Sequence, residues 1–176
     1  MPWQAEQIVS LLRQKRHDFV NYLQVISGYI QLHKGDEALS YLKKVLNRTE
    51  QLGKIMRLKK SDLAVISLMK IKNAESKGIN LEIEVNTIME NLTLKDSVLT
   101  LLWETAWDLA ITMAGEGNSL RANIDNHDIG YSLKFKANNP VEVLPGEESS
   151  LTQLAKQYNV PLNWQPANGE LSLFFI

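Results

Sequence analysis

The sequence predicts an α+β protein: an N-terminal helical hairpin that dimerises into a four-helix bundle, followed by a small α/β sandwich. Three observations predict it. The chain of 176 residues is 44% hydrophobic with a net charge of −1, ordinary for one mid-sized globular unit or two small ones. The charge is divided: residues 1–77 hold 14 Lys/Arg against 7 Asp/Glu (+7), and residues 78–176 hold 5 against 13 (−8), which points to two modules with different tasks. Near Gly78 the pattern changes from helical spacing to strict alternation.

Pro2 is tolerated near a helix start, and from Trp3 to His33 only Gly28 interrupts the helical pattern. Gly35 suits the residue just past the first helix and Asp36 suits the N-cap of a second. So short a connection makes the two helices an antiparallel hairpin. Ala38, Leu42, Val45, Thr49, Leu52 and Met56 then follow at alternating spacings of four and three, a narrow seam of the coiled-coil kind. Ser61-Asp62 caps a third helix, Leu63 to Ser76, that stops at Lys77-Gly78. Leu81, Ile83 and Val85 alternate with polar residues as in a half-buried strand. Asp96 to Met113 reads as an apolar helix with Trp103 and Trp107 in the core. Leu120–Ile124 and Tyr131–Lys136 read as strands joined by a polar turn, Ser150–Tyr158 as a short helix and Leu171–Ile176 as a last strand. The domains expected are 1–60, helical, and 61–176, α/β. Met56, Met69 and Met113 read as core, and His33 and His127 as solvated turn residues.

Composition also excludes. With no cysteine, there are no disulfides, thiolate nucleophiles or cysteine-held metals. No apolar run is long enough for a signal peptide or a membrane span, so the default location is cytoplasmic, with no membrane partner. That no sensor or membrane segment is visible favours a complete chain over a piece of a longer sensor.

The chemistry is concentrated in Arg16-His17-Asp18-Phe19-Val20-Asn21-Tyr22-Leu23-Gln24. At about 100° per residue, His17, Asn21, Gln24, Gly28 and Gln31 fall within about 40° of one line, with Phe19, Leu23, Ile26 and Ile30 opposite as a core face. Arg16 and Asp18 flank the histidine. Spacing alone leaves an ordinary solvated stripe open as a reading. It offers no metal site, because no carboxylate or second histidine stands at i+3 or i+4 from His17.

These residues, with Gly28 and Gln31-Leu32 following, resemble the phosphoacceptor helix of two-component phosphorelay proteins. The variant is that of the sporulation initiation phosphotransferase B group and the citrate/malate-type sensor histidine kinases. Ser61-Asp62-Leu63-Ala64 through Lys77-Gly78-Ile79 resembles the lead into the ATP-binding domain of those kinases, and Asn168 to Ile176 resembles that domain's last strand. The sandwich thus resembles a histidine-kinase ATPase domain, and it departs from the pattern where nucleotide is held. Thr105, within Glu104-Thr105-Ala106-Trp107-Asp108, stands where a magnesium-holding asparagine is expected. Ala137-Asn138-Asn139-Pro140 stands where the family has Asp-x-Gly-x-Gly, and Pro145-Gly146-Glu147-Glu148-Ser149-Ser150 stands where it has a glycine-rich lid.

The resemblance therefore implies a phosphorelay phosphotransferase. His17 would take a phosphoryl group from one response-regulator aspartate and pass it to another, without ATP. It implies no cofactor on this chain and Mg2+ in the receiver domain. Arg16 would attract the receiver's acidic pocket, Asp18 would orient the imidazole or touch the partner, and Asn21, Gln24, Gly28 and Gln31 would form the docking surface. Rival readings are a sensor histidine kinase core with an unusual ATP site and a non-catalytic dimeric module that only binds receivers. A nucleic-acid binder is more distant, for the basic helices carry no aromatic platform.

A lone hairpin buries too little to be stable, so the long apolar faces imply a homodimer. Light scattering at micromolar concentration is expected to return twice the mass of one chain; a monomeric particle contradicts this.

Overall fold

The computed structural model describes residues 5–143, 146 and 149–176. The expected helix start at Pro2-Trp3 and Pro145, Glu147 and Glu148 of the lid replacement lie outside them. The chain divides into two compact units, Met1–Glu50 and Gln51–Ile176, so the division falls inside a helix.

The first unit is the hairpin of α1 (Ala5–Gln31) and α2 (Gly35–Ile55) as far as Glu50. Its turn differs from the expected one. His33, not Gly35, adopts the left-handed backbone, at φ 55°. The Lys34 amide donates to the Tyr29 carbonyl at 2.9 Å and the His33 amide to that of Ile30 at 3.0 Å, the paired bonds of a Schellman stop. Gly35 is already helical, and the Lys34 carbonyl accepts the first bond of α2, from Ala38. The helices meet through Tyr41 of α2, whose ring lies 6.4 Å from Tyr22 and 6.2 Å from Tyr29 of α1, with Ala38 buried in the same seam.

The side of α1 opposite the His17 stripe is apolar as expected, yet within one chain it is not core. Phe19, Leu23 and Ile30 are 61%, 52% and 60% exposed, and Leu39 and Leu46 of α2 are as open. Two helices share one seam, and the tyrosines occupy it. Of the expected heptad positions, Ala38 is buried while Leu42 of α2 and Met56, just past its end, are exposed. Met56 is therefore a surface residue, unlike the buried Met113.

The second unit begins with the last turn of α2, where Ile55 and then Leu58 are buried. It is an α+β layer structure of α3 (Ser61–Ser76), β1 (Asn80–Val85), α4 (Asp96–Ala114), β2 (Ser119–Asn126), β3 (Tyr131–Ala137), α5 (Ser149–Gln157), β4 (Leu162–Gln165) and β5 (Glu170–Phe175). Ser61 is the first residue of α3, not its cap; Lys60 holds the N-cap position without a side-chain bond. The sheet runs β1-β2-β3-β5-β4, parallel between β1 and β2 and antiparallel elsewhere. A parallel pair needs a crossover, and α4 supplies it. Strand β4 escapes the sequence reading because its Leu162/Trp164 alternation lasts one short strand between Pro161 and Pro166.

Register sorts the two faces. Leu120, Ala122 and Ile124 pair with Ala137, Phe135 and Leu133, and the latter two with Leu171 and Leu173, giving one apolar face. Against it lies α4, its Trp107 edge-on to Phe135 at 4.8 Å and its Trp103 at 5.9 Å from Phe175. Trp103 Nε1 donates to Ser67 Oγ of α3 at 2.9 Å, which satisfies both buried groups. Cross-strand ion pairs line the other face: Glu82 holds Arg121 at 2.8 Å, its hydrogen bond and charge raising the guanidinium pKa, and Glu170 holds Lys136 at 2.7 Å. His127 is more than a solvated turn residue, for its Nε2 lies 2.8 Å from Ser132 Oγ and its ring packs on Phe174. No helix among the described residues is long and apolar enough to cross a membrane.

Gly130, at φ 88°, ends the β2–β3 turn where an added Cβ would collide with the Phe175 carbonyl; Gly117, at φ 75°, has open space at the same point. Both positions strain an L residue, but only Gly130 adds a backbone clash. Gly117→Ala is expected to cost about 1 kcal/mol and Gly130→Ala roughly 2–4 kcal/mol in urea denaturation. Equal losses would contradict the packing described.

Candidate functional site

Residues 5–31 hold no proline and one glycine, so α1 runs unbroken past His17 and fixes what shares its face. His17 is exposed. One turn later Asn21 approaches it, with Asn21 Nδ2 3.1 Å from His17 Nδ1. This is the i, i+4 geometry of a helix surface. One turn before, Gln14 Nε2 donates to Asp18 Oδ1 at 3.1 Å. The carboxylate is thus bonded to Gln14 and the imidazole to Asn21; of the two roles expected for Asp18, orienting the ring or touching the partner, the first is not the arrangement seen. Arg16, Gln24 and Gln31 are exposed, and space around Gly28 is open where a Cβ would stand. His17, Asn21, Gln24, Gly28 and Gln31 form one side of a single regular helix, with Arg16 and Asp18 to either side.

Chemically, this is an imidazole in water with one nitrogen engaged by a neutral amide. Nδ1 faces along the helix to Asn21, which leaves Nε2 as the nitrogen turned from that contact. An accessible imidazole nitrogen is a competent nucleophile toward an electrophilic phosphorus when it carries no proton.

The second set of residues singled out by sequence lies on α4 and after β3. Thr105 Oγ1 donates to the Leu101 carbonyl of its own helix at 2.8 Å. Beside it, Lys70 of α3 reaches both oxygens of Asp108, at 2.6 and 2.7 Å, and Glu104 at 3.4 Å. The side chain of Lys70 is only 15% exposed, so this cation is held within the unit by two carboxylates. After β3, Asn138 Nδ2 donates to Ser119 Oγ at 2.9 Å, and the Val141 amide donates to the Met113 carbonyl at 2.9 Å, tying this segment to the end of α4. Trp103 and Trp107 are wholly buried, as expected of core residues. Among the described residues no group of three or more His, Asp or Glu could hold a metal ion.

Sequence reading missed three pairings. Two of them, Gln14–Asp18 and His17–Asn21, were visible as i, i+4 spacings of complementary groups. The third, Lys70 with Asp108 and Glu104, joins helices far apart in sequence and needs the fold to be seen.

Residues 1–58 match the SpoOB-type sensor-kinase alpha-helical domain. Over 106 residues, 59% of this chain, the sequence is 31% identical to the sensor protein CitS of Halalkalibacterium halodurans. Over 157 residues, 88% of the chain, it is 26% identical to a probable C4-dicarboxylate sensor kinase of the same organism. The chain spans 18% and 27% of the length of those relatives. Among solved structures it is similar to the cytoplasmic segment of histidine kinase QseC (17% identity, 65% of this chain and 72% of that one, TM-score 0.48). It is also similar to a bacterial phosphotransferase (11% identity, 100% and 98%, TM-score 0.44). Residues 1–58 are thus similar to a SpoOB-type helical domain, and the chain is similar to parts of sensor kinases of the CitS and C4-dicarboxylate kind.

The Lys70–Asp108 pair links α3 to α4 with one partner nearly buried. A double-mutant cycle with Lys70→Met and Asp108→Asn, read by urea denaturation, is expected to return a coupling of about 0.5–1 kcal/mol. Additive single effects would mean that the pair contributes nothing to the fold.

Proposed function

We propose that this chain is a phosphorelay phosphotransferase: His17 accepts a phosphoryl group from the aspartyl phosphate of a receiver domain and passes it to a second receiver, without drawing on ATP. The observation that carries the reading is the exposed His17–Asn21 couple on a SpoOB-type helical domain. The chemistry needs little else from this chain. An aspartyl phosphate and a phosphohistidine are both high-energy species, so the group can move either way once the nitrogen, the phosphorus and the carboxylate oxygen are in line. Mg2+ belongs, in this reading, to the receiver's acidic pocket, and Arg16 with the basic first half of the chain complements that pocket electrostatically.

The second unit supports the part of the reading that excludes ATP. A triphosphate and its magnesium require polar side chains and cations turned toward them. At the position of the expected asparagine, the Thr105 hydroxyl is bonded to its own helix. The neighbouring lysine is engaged by Asp108 and Glu104. These residues do not fit a nucleotide, and the net −8 of residues 78–176 adds repulsion. Dimerisation through the exposed Phe19, Leu23, Ile30, Leu39 and Leu46 would close the hairpins into a four-helix bundle and leave His17 outside it. A cytoplasmic setting follows, since receiver domains work there, and sporulation signalling is the process that the phosphotransferase B resemblance points to.

The test is direct. Incubated with a receiver domain labelled from radioactive acetyl phosphate, the wild-type protein is expected to take up acid-labile, base-stable label and His17→Ala none. Incubated with labelled ATP and Mg2+, it is expected to remain unlabelled. Uptake by His17→Ala equal to wild type overturns the assignment of the residue. Rapid labelling from ATP would make the protein a kinase.

A further inference from the structure

We propose that the outer face of the second unit's sheet is a seat for a small aromatic monocarboxylate, with Lys134 taking the carboxylate and Phe174 the ring. The seat belongs to the second unit alone and does not depend on the phosphotransfer reading.

The register of the sheet builds it. Side chains directly opposite on neighbouring strands stand about 5 Å apart on a shared face. Asn123 pairs with Lys134, Lys134 with Ser172, and Ser172 with Asn163, so these four form one row across β2, β3, β5 and β4. Lys134 alternates with Leu133 and Phe135 of the core, which puts the row on the side turned from α4. Two residues along β5 in either direction, Phe174 and Glu170 stand on the two sides of the row. Together they line a groove of about 600 Å3, within the roughly 300–1,000 Å3 usual for small-molecule sites.

The strands carry three cations, Arg121, Lys134 and Lys136. Glu82 holds Arg121 at 2.8 Å and Glu170 holds Lys136 at 2.7 Å. Lys134 is half-buried and meets no carboxylate among the described residues; its Nζ lies 5.8 Å from the centre of the Phe174 ring. A ring face is a weaker partner for an ammonium than a carboxylate is. Beside it are further donors. Ser172 Oγ has no hydrogen-bond partner among the described residues, and Asn163 gives its oxygen to Gln165 Nε2 at 3.0 Å, which leaves its amide nitrogen to donate. On the other flank Asn123 turns its Nδ2 to Glu84 at 3.0 Å.

The charges select the ligand. One cation is unmatched, while Glu84 lies two strands away in the same row and Glu170 one residue pair along. A single negative charge on Lys134 is therefore matched, and a di- or polyanion meets repulsion from both carboxylates. Phe174 is half-buried, with the His127 ring 5.5 Å from its own, and it offers apolar surface next to the cation. A flat ring placed there gains aromatic contact beyond the area it buries, which an alkyl chain does not.

The experiment is a titration of the 15N-labelled full chain with 2-naphthoate, followed by amide chemical shifts. Saturable shifts are expected around Lys134, Ser172, Phe174 and Asn163. Lys134→Gln should weaken binding about tenfold and Lys134→Arg should retain it. Ser172→Ala, which alters no charge, should weaken it roughly two- to fivefold and serves if Lys134→Gln fails to fold. Octanoate, with the charge but no ring, and 2-naphthylmethanol, with the ring but no charge, should both bind more weakly than 2-naphthoate. The proposal is overturned by the absence of saturable shifts, by Lys134→Gln binding as wild type does, or by shifts gathered instead at Phe19, Leu23 and Ile30 of the hairpin. Inorganic phosphate binding as well as 2-naphthoate would make the face a general anion site and overturns it too. So does a receiver domain that moves these amides where 2-naphthoate does not, for the face would then dock protein.

Discussion

A two-helix hairpin has one seam, and what occupies it decides everything else that the helices present. Here the half-buried Tyr41 meets Tyr22 and Tyr29, with the buried Ala38 in the same seam. The rest of α1 and α2 is left outward by geometry, not by a shortage of apolar residues. Two outward surfaces follow. One is the apolar ridge of Phe19, Leu23 and Ile30, joined on α2 by Leu39 and Leu46. The other is the polar stripe led by His17. Apolar area of that extent is costly in water at about 25 cal/mol per Å2, and a second copy is the cover proposed for it. The stripe, free of that demand, remains available for chemistry.

The second unit obeys the opposite constraint, with the apolar face of its sheet packed under α4. Because α4 must present Trp103 and Trp107 to the sheet, its outward turns carry the polar groups that remain: Glu104, Thr105 and Asp108. Those groups are occupied locally, by a carbonyl of their own helix and by Lys70. In the proposed function this helix serves as a structural strut. This is why the chain's chemistry is assigned to the hairpin alone.

Much of this was legible in the sequence, for physical reasons that differ by element. The strand alternation of Leu81–Val85 and Tyr131–Ala137, and the tryptophan helix, follow from periods that burial imposes on any sequence. The turn at His33 was misplaced because glycine is the usual left-handed residue, and here the Schellman bonds hold a histidine in that role. Strand β4 was hidden by its prolines. At the site, His17 and its stripe were visible from helical geometry, but the choice between Asp18 and Asn21 as the ring's partner was not. Asp18 stands about 100° around the helix from His17, whereas the residue one turn on lies beside it. The Lys70 cluster depends on the packing of α3 on α4, which no local pattern encodes.

The account rests on passage of a phosphoryl group through His17 without nucleotide, and a two-receiver relay measures that passage. A receiver domain is labelled, freed of ATP by desalting and apyrase, and mixed with a second, unlabelled receiver and a substoichiometric amount of this protein. The account predicts that label reaches the second receiver in many turnovers per protein molecule, with a transient phosphohistidine on the way, and that His17→Ala abolishes it. Label that stays on the first receiver, or that crosses equally well with His17→Ala, would contradict it.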